Sequence, residues 1–201
     1  ELLIKAAKTL GDEDVDESIN LYEEGITIYE EEDGKLIFIG DTWRTCIALM
    51  LRNSRVDAAI AMLERMQATF EKLDQADYLH KAQLAVIVLK LSKGDVVAAA
   101  AARDSYGDFT MSQEGGAACD LIDAFEEGDD ETVKELTSKQ TFTLLENQVA
   151  RAASKLAGVC KECAGDMTGA RVSKPQGAPV STAVAAVTTA AADEDDMDDL
   201  M

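Results

Sequence analysis

The chain has 201 residues, with 39 Asp and Glu against 19 Lys and Arg, a formal net charge of −20 and a pI near 4.3. Neutralising nucleic-acid phosphates needs a basic footprint, so the charge all but excludes a nucleic-acid binder; it also disfavours docking on anionic lipid by the bulk of the chain and points to a basic partner. Hydrophobic residues at 47% supply material for a core, and the length suits one domain or an array of repeats.

The chain opens on Glu1 in mid-pattern: Leu2, Leu3, Ala6 and Ala7 read as the end of an amphipathic helix. The expectation is a piece of a longer protein whose N-terminal part is absent. A repeat begins at Asp14. A shift of 41 places aligns Val15 and Asp16 with Val56 and Asp57, Ile19 with Ile60, Glu23 with Glu64, and Glu30 with Glu71. The next copy follows 40 residues on, with Val96, Ala98 and Ala99, and a shorter echo near Asp130 carries Val133 and Leu136. A period near 40 with helical spacing inside each unit predicts stacked helix pairs.

The first helix of each pair carries Ile19, Tyr22, Ile26 and Tyr29, then Val56, Ile60, Leu63 and Phe70. The second helices are expected at 38–51 and 78–91, with Asn53 and Gly94 as breaks. Further helices follow at 112–127 and 129–138, and a last one presents Phe142, Leu145, Val149 and Leu156 on one face. A rival reading makes Ile26 to Ile39 a hairpin around Asp33-Gly34. The aligned copy, Gln67 to Leu79, has no such turn, which favours a loop between antiparallel helices. Both prolines, Pro175 and Pro179, lie beyond residue 174, and the longest apolar stretch, Leu84 to Leu89, is too short to cross a membrane. The fold class is therefore all-α: a right-handed solenoid of antiparallel helix pairs over residues 1–163, ending in a helical cap. Residues 164–192 read as a flexible Gly/Pro/Ala/Thr linker, and 193–201 as an acidic tip with six acids in nine residues.

Chemistry is sparse. Cys46, Cys119, Cys160 and Cys163 accompany no secretory signal, so reduced thiols in a cytosolic setting are the default. Cys160-Lys161-Glu162-Cys163 is a lone C-x-x-C with no second ligand pair, His80 is the only histidine, and no Gly-rich phosphate loop occurs. No catalytic, metal or cofactor residue is assigned, and the chain is read as not an enzyme. Asp123, Glu126 and Glu127 stand apart. At i, i+3 and i+4 they share a helix face near a C-terminus, where the helix dipole disfavours negative charge. In the tip, Leu200 sets one aliphatic anchor beside Asp198 and Asp199, as a short docking peptide would.

Three stretches carry a family resemblance. Tyr78-Leu79-His80-Lys81, through Lys93-Gly94-Asp95-Val96-Val97-Ala98-Ala99 to Arg103-Asp104-Ser105-Tyr106, follows the pattern of the gamma branch of the soluble NSF attachment proteins, the SNAPs. Leu121-Ile122-Asp123-Ala124-Phe125-Glu126-Glu127 resembles that family's acidic helix, and Asp198-Asp199-Leu200-Met201 resembles its acidic ending with leucine in the penultimate place. From Leu2 to about Leu156 the chain is similar to the C-terminal half of such a protein. The resemblance implies an adaptor that links a SNARE complex of the syntaxin type to the hexameric ATPase NSF, for disassembly of the complex in vesicle trafficking. It implies a cytoplasmic location, peripheral on endomembranes through partners and an absent N-terminal loop. It assigns Asp95, Asp123, Glu126, Glu127, Asp198, Asp199 and Leu200 to the NSF-facing surface, and Lys81, Lys90 and Lys93 to SNARE contact. Two other readings compete: a tetratricopeptide-type scaffold for peptide termini, whose repeats are nearer 34 residues, and a redox protein built on Cys160 and Cys163.

Overall fold

The computed structural model describes residues 1–31 and 39–170, with side chains described as far as Cys163. The described residues hold no strand. Helices α1 (Leu2–Leu10), α2 (Val15–Glu31), α3 (Gly40–Arg52), α4 (Val56–Lys72), α5 (Ala76–Ser92) and α6 (Val96–Ser105) follow in order. A 3₁₀ turn (Gly107–Met111) leads to α7 (Gln113–Glu127), α8 (Asp130–Thr137), α9 (Gln140–Thr143), α10 (Asn147–Ala153) and α11 (Leu156–Ala170). Each helix from α1 to α8 packs on its chain neighbour, and α5 also packs on α7, a solenoid-like array of helix pairs. The expected positions of the second helices match α3 and α5. Asp33-Gly34 lies outside the described residues, but Ile26 to Glu31, the first arm of the rival hairpin, is helical within α2.

The connections repeat one geometry. Ser54, Asp74, Gly94 and Gly128 all adopt positive φ just after a helix, and the next residue's N–H returns to a carbonyl in the last turn: Arg55 to Met50 at 2.8 Å, Gln75 to Phe70 at 3.0 Å, Asp95 to Lys90 at 3.2 Å and Asp129 to Ala124 at 3.0 Å. This left-handed closure satisfies orphan helix carbonyls and turns the chain sharply enough for antiparallel packing.

The core runs the length of the array. The α5 helix lies at its centre, and Leu84 to Leu89 are all buried, so its apolar residues surround the helix rather than forming one stripe. Trp43, Tyr22, Ile26 and Met50 fill the first pair, and Phe109, Leu121, Ile122 and Val133 the last. Successive between-pair turns are tied by ion pairs one repeat apart: Arg52 to Asp12 at 3.5 Å, Arg55 to Asp16 at 2.8 Å, and Lys93 to Asp57. The repeat places Asp at the second helical position in α2 and α4. In α6 that position is Val97, 81% exposed, so the series of paired turns stops there.

One expectation fails. The last helix carrying Phe142, Leu145, Val149 and Leu156 is in fact α9, α10 and α11, although all four side chains are buried as the pattern requires. Glu146 makes the break. Its backbone is extended, and its carboxylate accepts the N–H groups of Gln148 at 2.8 Å and Val149 at 3.2 Å, starting a new helix. The break turns α10 back across α3 and α5, while α11 packs on α8 and α5 with helical backbone through Ala170.

Candidate functional site

At the far end of α7 the sequence alternates burial and charge at helical spacing. Leu121, Ile122, Ala124 and Phe125 point into the core, which turns Asp123, Glu126 and Glu127 to solvent. Gly128, at φ 74°, closes the helix and Asp129 opens α8, so acids follow on both sides of one tight turn. From Asp120 to Glu131 there are seven carboxylates and no Lys or Arg. None of the seven takes part in an ion pair among the described residues. Arg103 on α6 is close enough to feel the charge of Asp123. It donates to its neighbour Asp104 at 2.9 Å, and that hydrogen bond, ahead of the more distant pull of Asp123, holds its charge.

The two halves of this edge differ in their own energetics. Asp129, Asp130 and Glu131 sit at the N-terminus of α8, where the helix dipole favours negative charge. Asp129 caps the helix, accepting the Thr132 N–H at 3.0 Å and the Thr132 hydroxyl at 2.6 Å, and this hydroxyl bond, then the backbone one, lowers its pKa below the ordinary carboxylate value. Glu126 and Glu127 are in the last turn of α7, at the wrong end of its dipole and without compensation from any described base. Nor do the carboxylates converge. Among the described residues, no group of three or more His, Cys, Asp or Glu side chains is arranged to hold a metal ion. Divergent, exposed and unpaired carboxylates suit a broad basic surface rather than a bound cation.

Asp95 belongs to the neighbouring turn. One of its oxygens caps α6 through the Ala98 N–H at 2.8 Å, so this carboxylate has a structural task besides its exposure. The C-x-x-C pair fixes the two turns side by side. The Cys160 thiol reaches the Phe125 carbonyl at 3.8 Å, and Cys163, one helical turn on, packs where a Cβ on Gly94 would sit 3.1 Å from its sulfur. Both cysteines are free, and burial first, then the nearby acids and Cys163, pushes the Cys160 thiol up, away from the thiolate that redox or metal chemistry needs. Cys160 and Cys163 thus act as packing groups between the Gly94 and Gly128 turns.

The three lysines do not gather. Lys90 pairs with Glu64 at 3.6 Å and Lys93 with Asp57, both toward α4. Lys81, nine residues before Lys90, points about 180° away around α5 and lies over the Tyr78 ring at 5.9 Å. Asp198, Asp199 and Leu200 lie outside the described residues. Sequence reasoning missed Asp120, Asp129, Asp130 and Glu131 as members of the edge; the i, i+3, i+7 spacing of Asp120, Asp123 and Glu127, and the acids directly after Gly128, were the available signals.

No protein-family model matches the chain. It is 35% identical over 159 residues to the gamma-soluble NSF attachment protein of Dictyostelium discoideum, covering 78% of this chain and 49% of that protein. It is 30% identical over 162 residues to the gamma-soluble NSF attachment protein of Arabidopsis thaliana, covering 78% of this chain and 54% of that protein. The chain thus spans about half the length of the curated relatives it matches.

Proposed function

The chain is a member of the gamma-SNAP-like family, and on that premise we propose that it is the NSF-facing part of a non-enzymatic adaptor. The relatives are named as NSF attachment proteins, which supports an NSF attachment role. The finer reading is that the adaptor links SNARE complexes to the NSF ATPase, whose ATP hydrolysis drives their disassembly at endomembranes. The observation that carries this reading is the unpaired acidic edge from Asp120 to Glu131, with Asp95 on the adjoining turn.

A basic ATPase surface would meet Asp123, Glu126 and Glu127 through long-range attraction, which speeds encounter, and through short-range pairing once docked. The chain's own residues do no bond-breaking chemistry in this scheme; they hold charge at a fixed place on a rigid array. Asp198, Asp199 and Leu200 would add a second contact, acids steering one aliphatic anchor into a pocket of the partner. SNARE contact through lysines is narrowed to Lys81, because Lys90 and Lys93 are engaged with Glu64 and Asp57.

The test is to remove residues 193–201 from the otherwise intact protein and measure stimulation of NSF ATPase activity. Lost stimulation with retained recruitment is the expected outcome. Unchanged stimulation would remove Leu200 from the mechanism.

A further inference from the structure

The return of α10 across α3 and α5 leaves a half-open groove of about 790 Å³ between those helices, α4 and the chain from Leu144 to Val149. Its floor is apolar, with Leu63, Met66 and Phe70 buried beneath it, while Tyr78 and Leu144 stand at the rim 49% and 61% exposed. Its charge runs against that of the chain. Arg44, Arg52 and Lys81 line it, and the one acid among the described lining residues, Glu146, spends its carboxylate on the N-terminus of α10. Lys81 enters no ion pair among the described residues. Among the described residues Arg44 and Arg52 hold only exposed pairs, with Asp41 at 3.4 Å and Asp12 at 3.5 Å, which a better-placed anion can displace.

We propose that this groove is a binding site for the chain's own acidic tip. The tip, Asp193 to Met201, carries six acids and three large apolar residues, and those three, Met197, Leu200 and Met201, fall at i, i+3 and i+4. In one helical turn they share a face, with the carboxylates around it. Such a face fits the Met66 and Phe70 floor, and the acids meet Arg44, Arg52 and Lys81. The connection is long enough. Helix α11 lies against the Gly94 end of α5, and the groove is at the Tyr78 end, so the path is about 25 Å along α5 and about 10 Å more along α11. The 22 residues between Ala170 and Asp193 can span up to about 75 Å. Joining site and peptide in one chain sets their local concentration at about a millimolar, so a weak contact suffices. A tip seated in the groove is withheld from any outside partner, and a ligand that takes the groove releases it. This inference needs only the groove and the tip and does not depend on the ATPase reading.

The test is methyl NMR on the full chain with labelled methionines, comparing the parent, Met197→Ser/Leu200→Ser/Met201→Ser, and Arg44→Glu/Lys81→Glu. Met66 is the groove reporter, and Met62, buried outside the groove, is the control. The expected result is a cross-peak between Met66 and Met197 or Met201 in the parent and a Met66 shift in both variants with Met62 unmoved. The shift is also expected in about 1 M salt, where the screening length falls to about 3 Å, and is expected to persist on tenfold dilution. No cross-peak and an unmoved Met66 would overturn the proposal. So would a contact that vanishes on dilution, which would mean that the tip docks on a second copy. An unmoved Met66 combined with lost ATPase stimulation on tip removal would sink this proposal and leave the adaptor reading standing; a moved Met66 with unchanged stimulation would support the docked tip and remove Leu200 from the ATPase mechanism.

Discussion

Replacing Asp123, Glu126 and Glu127 together by lysine should move binding and stability in opposite directions. A partner cation docked about 7 Å from each carboxylate in water gains about 0.6 kcal/mol per pair, and reversal forfeits that and adds the same as repulsion. Three reversals sum to about 3.6 kcal/mol before screening. With a Debye length of about 8 Å at physiological salt the effect falls to about 1.5 kcal/mol, or about tenfold in Kd; with about 30 Å at 0.01 M it is about a hundredfold. The fold should not suffer. Glu126 and Glu127 lie in the last turn of α7, where lysine suits the dipole, so the melting temperature should hold or rise slightly. The assay is NSF recruitment by the intact protein, parent and variant, at both salt concentrations, beside thermal melts. Equal recruitment at low salt with the fold intact would refute the reasoning and make the patch an ordinary solvated face.

Gly115 and Gly116 offer a paired test of packing: a Cβ on Gly115 would sit 1.9 Å from the Phe109 carbonyl oxygen, whereas one on Gly116 meets nothing within 4 Å. Gly115→Ala should cost about 2 kcal/mol or more by forcing α7 off the 3₁₀ turn, and Gly116→Ala should stabilise by about 0.5–1 kcal/mol, both read by urea melts. Burial, with a smaller push from Glu23, holds the Cys46 thiol up at about 12, so at pH 8 its thiolate fraction is about one in ten thousand. Native thiol titration should therefore label Cys119 and Cys163 well before Cys46, and fast labelling of Cys46 would mean that the first helix pair opens. Asp129 has a lowered folded pKa, so its cap adds stability above the unfolded carboxylate pKa and loses it as pH falls through the folded value. Thr132→Val should accordingly destabilise at pH 7, with an effect that shrinks toward pH 2; a pH-independent loss would assign it to packing instead.

The array was readable because its signals are local. The 41- and 40-residue shifts, the apolar spacing of Ile19 to Tyr29 and of Val56 to Phe70, and the missing prolines all act within one or two helices. Gly94 announced its turn, since only glycine takes positive φ freely, but Ser54 and Asp74 adopt the same conformation without such a mark. The break at Glu146 hid within a good helical pattern, because the four buried positions stay buried whether or not the helix is continuous. The acidic edge was half legible. Spacing gave Asp123, Glu126 and Glu127, whereas its extent depends on the Gly128 closure, and its adjacency to Asp95 on α11 lying across both turns. The lysines look like a set in sequence and separate in space because α5 turns Lys81 away from Lys90. The groove left no trace in sequence at all, since it is made by α10 returning over helices about 65 to about 100 residues earlier.

Zero-length carbodiimide cross-linking of the intact protein mixed with the NSF ATPase, read by mass spectrometry, tests the central claim most directly, because it joins only carboxylates and amines already in contact. Links from Asp120, Asp123, Glu126, Glu127 or Asp129 to ATPase lysines are the predicted result. Links confined to other acids, such as Asp12 to Glu17 at the opposite end of the array, would contradict it.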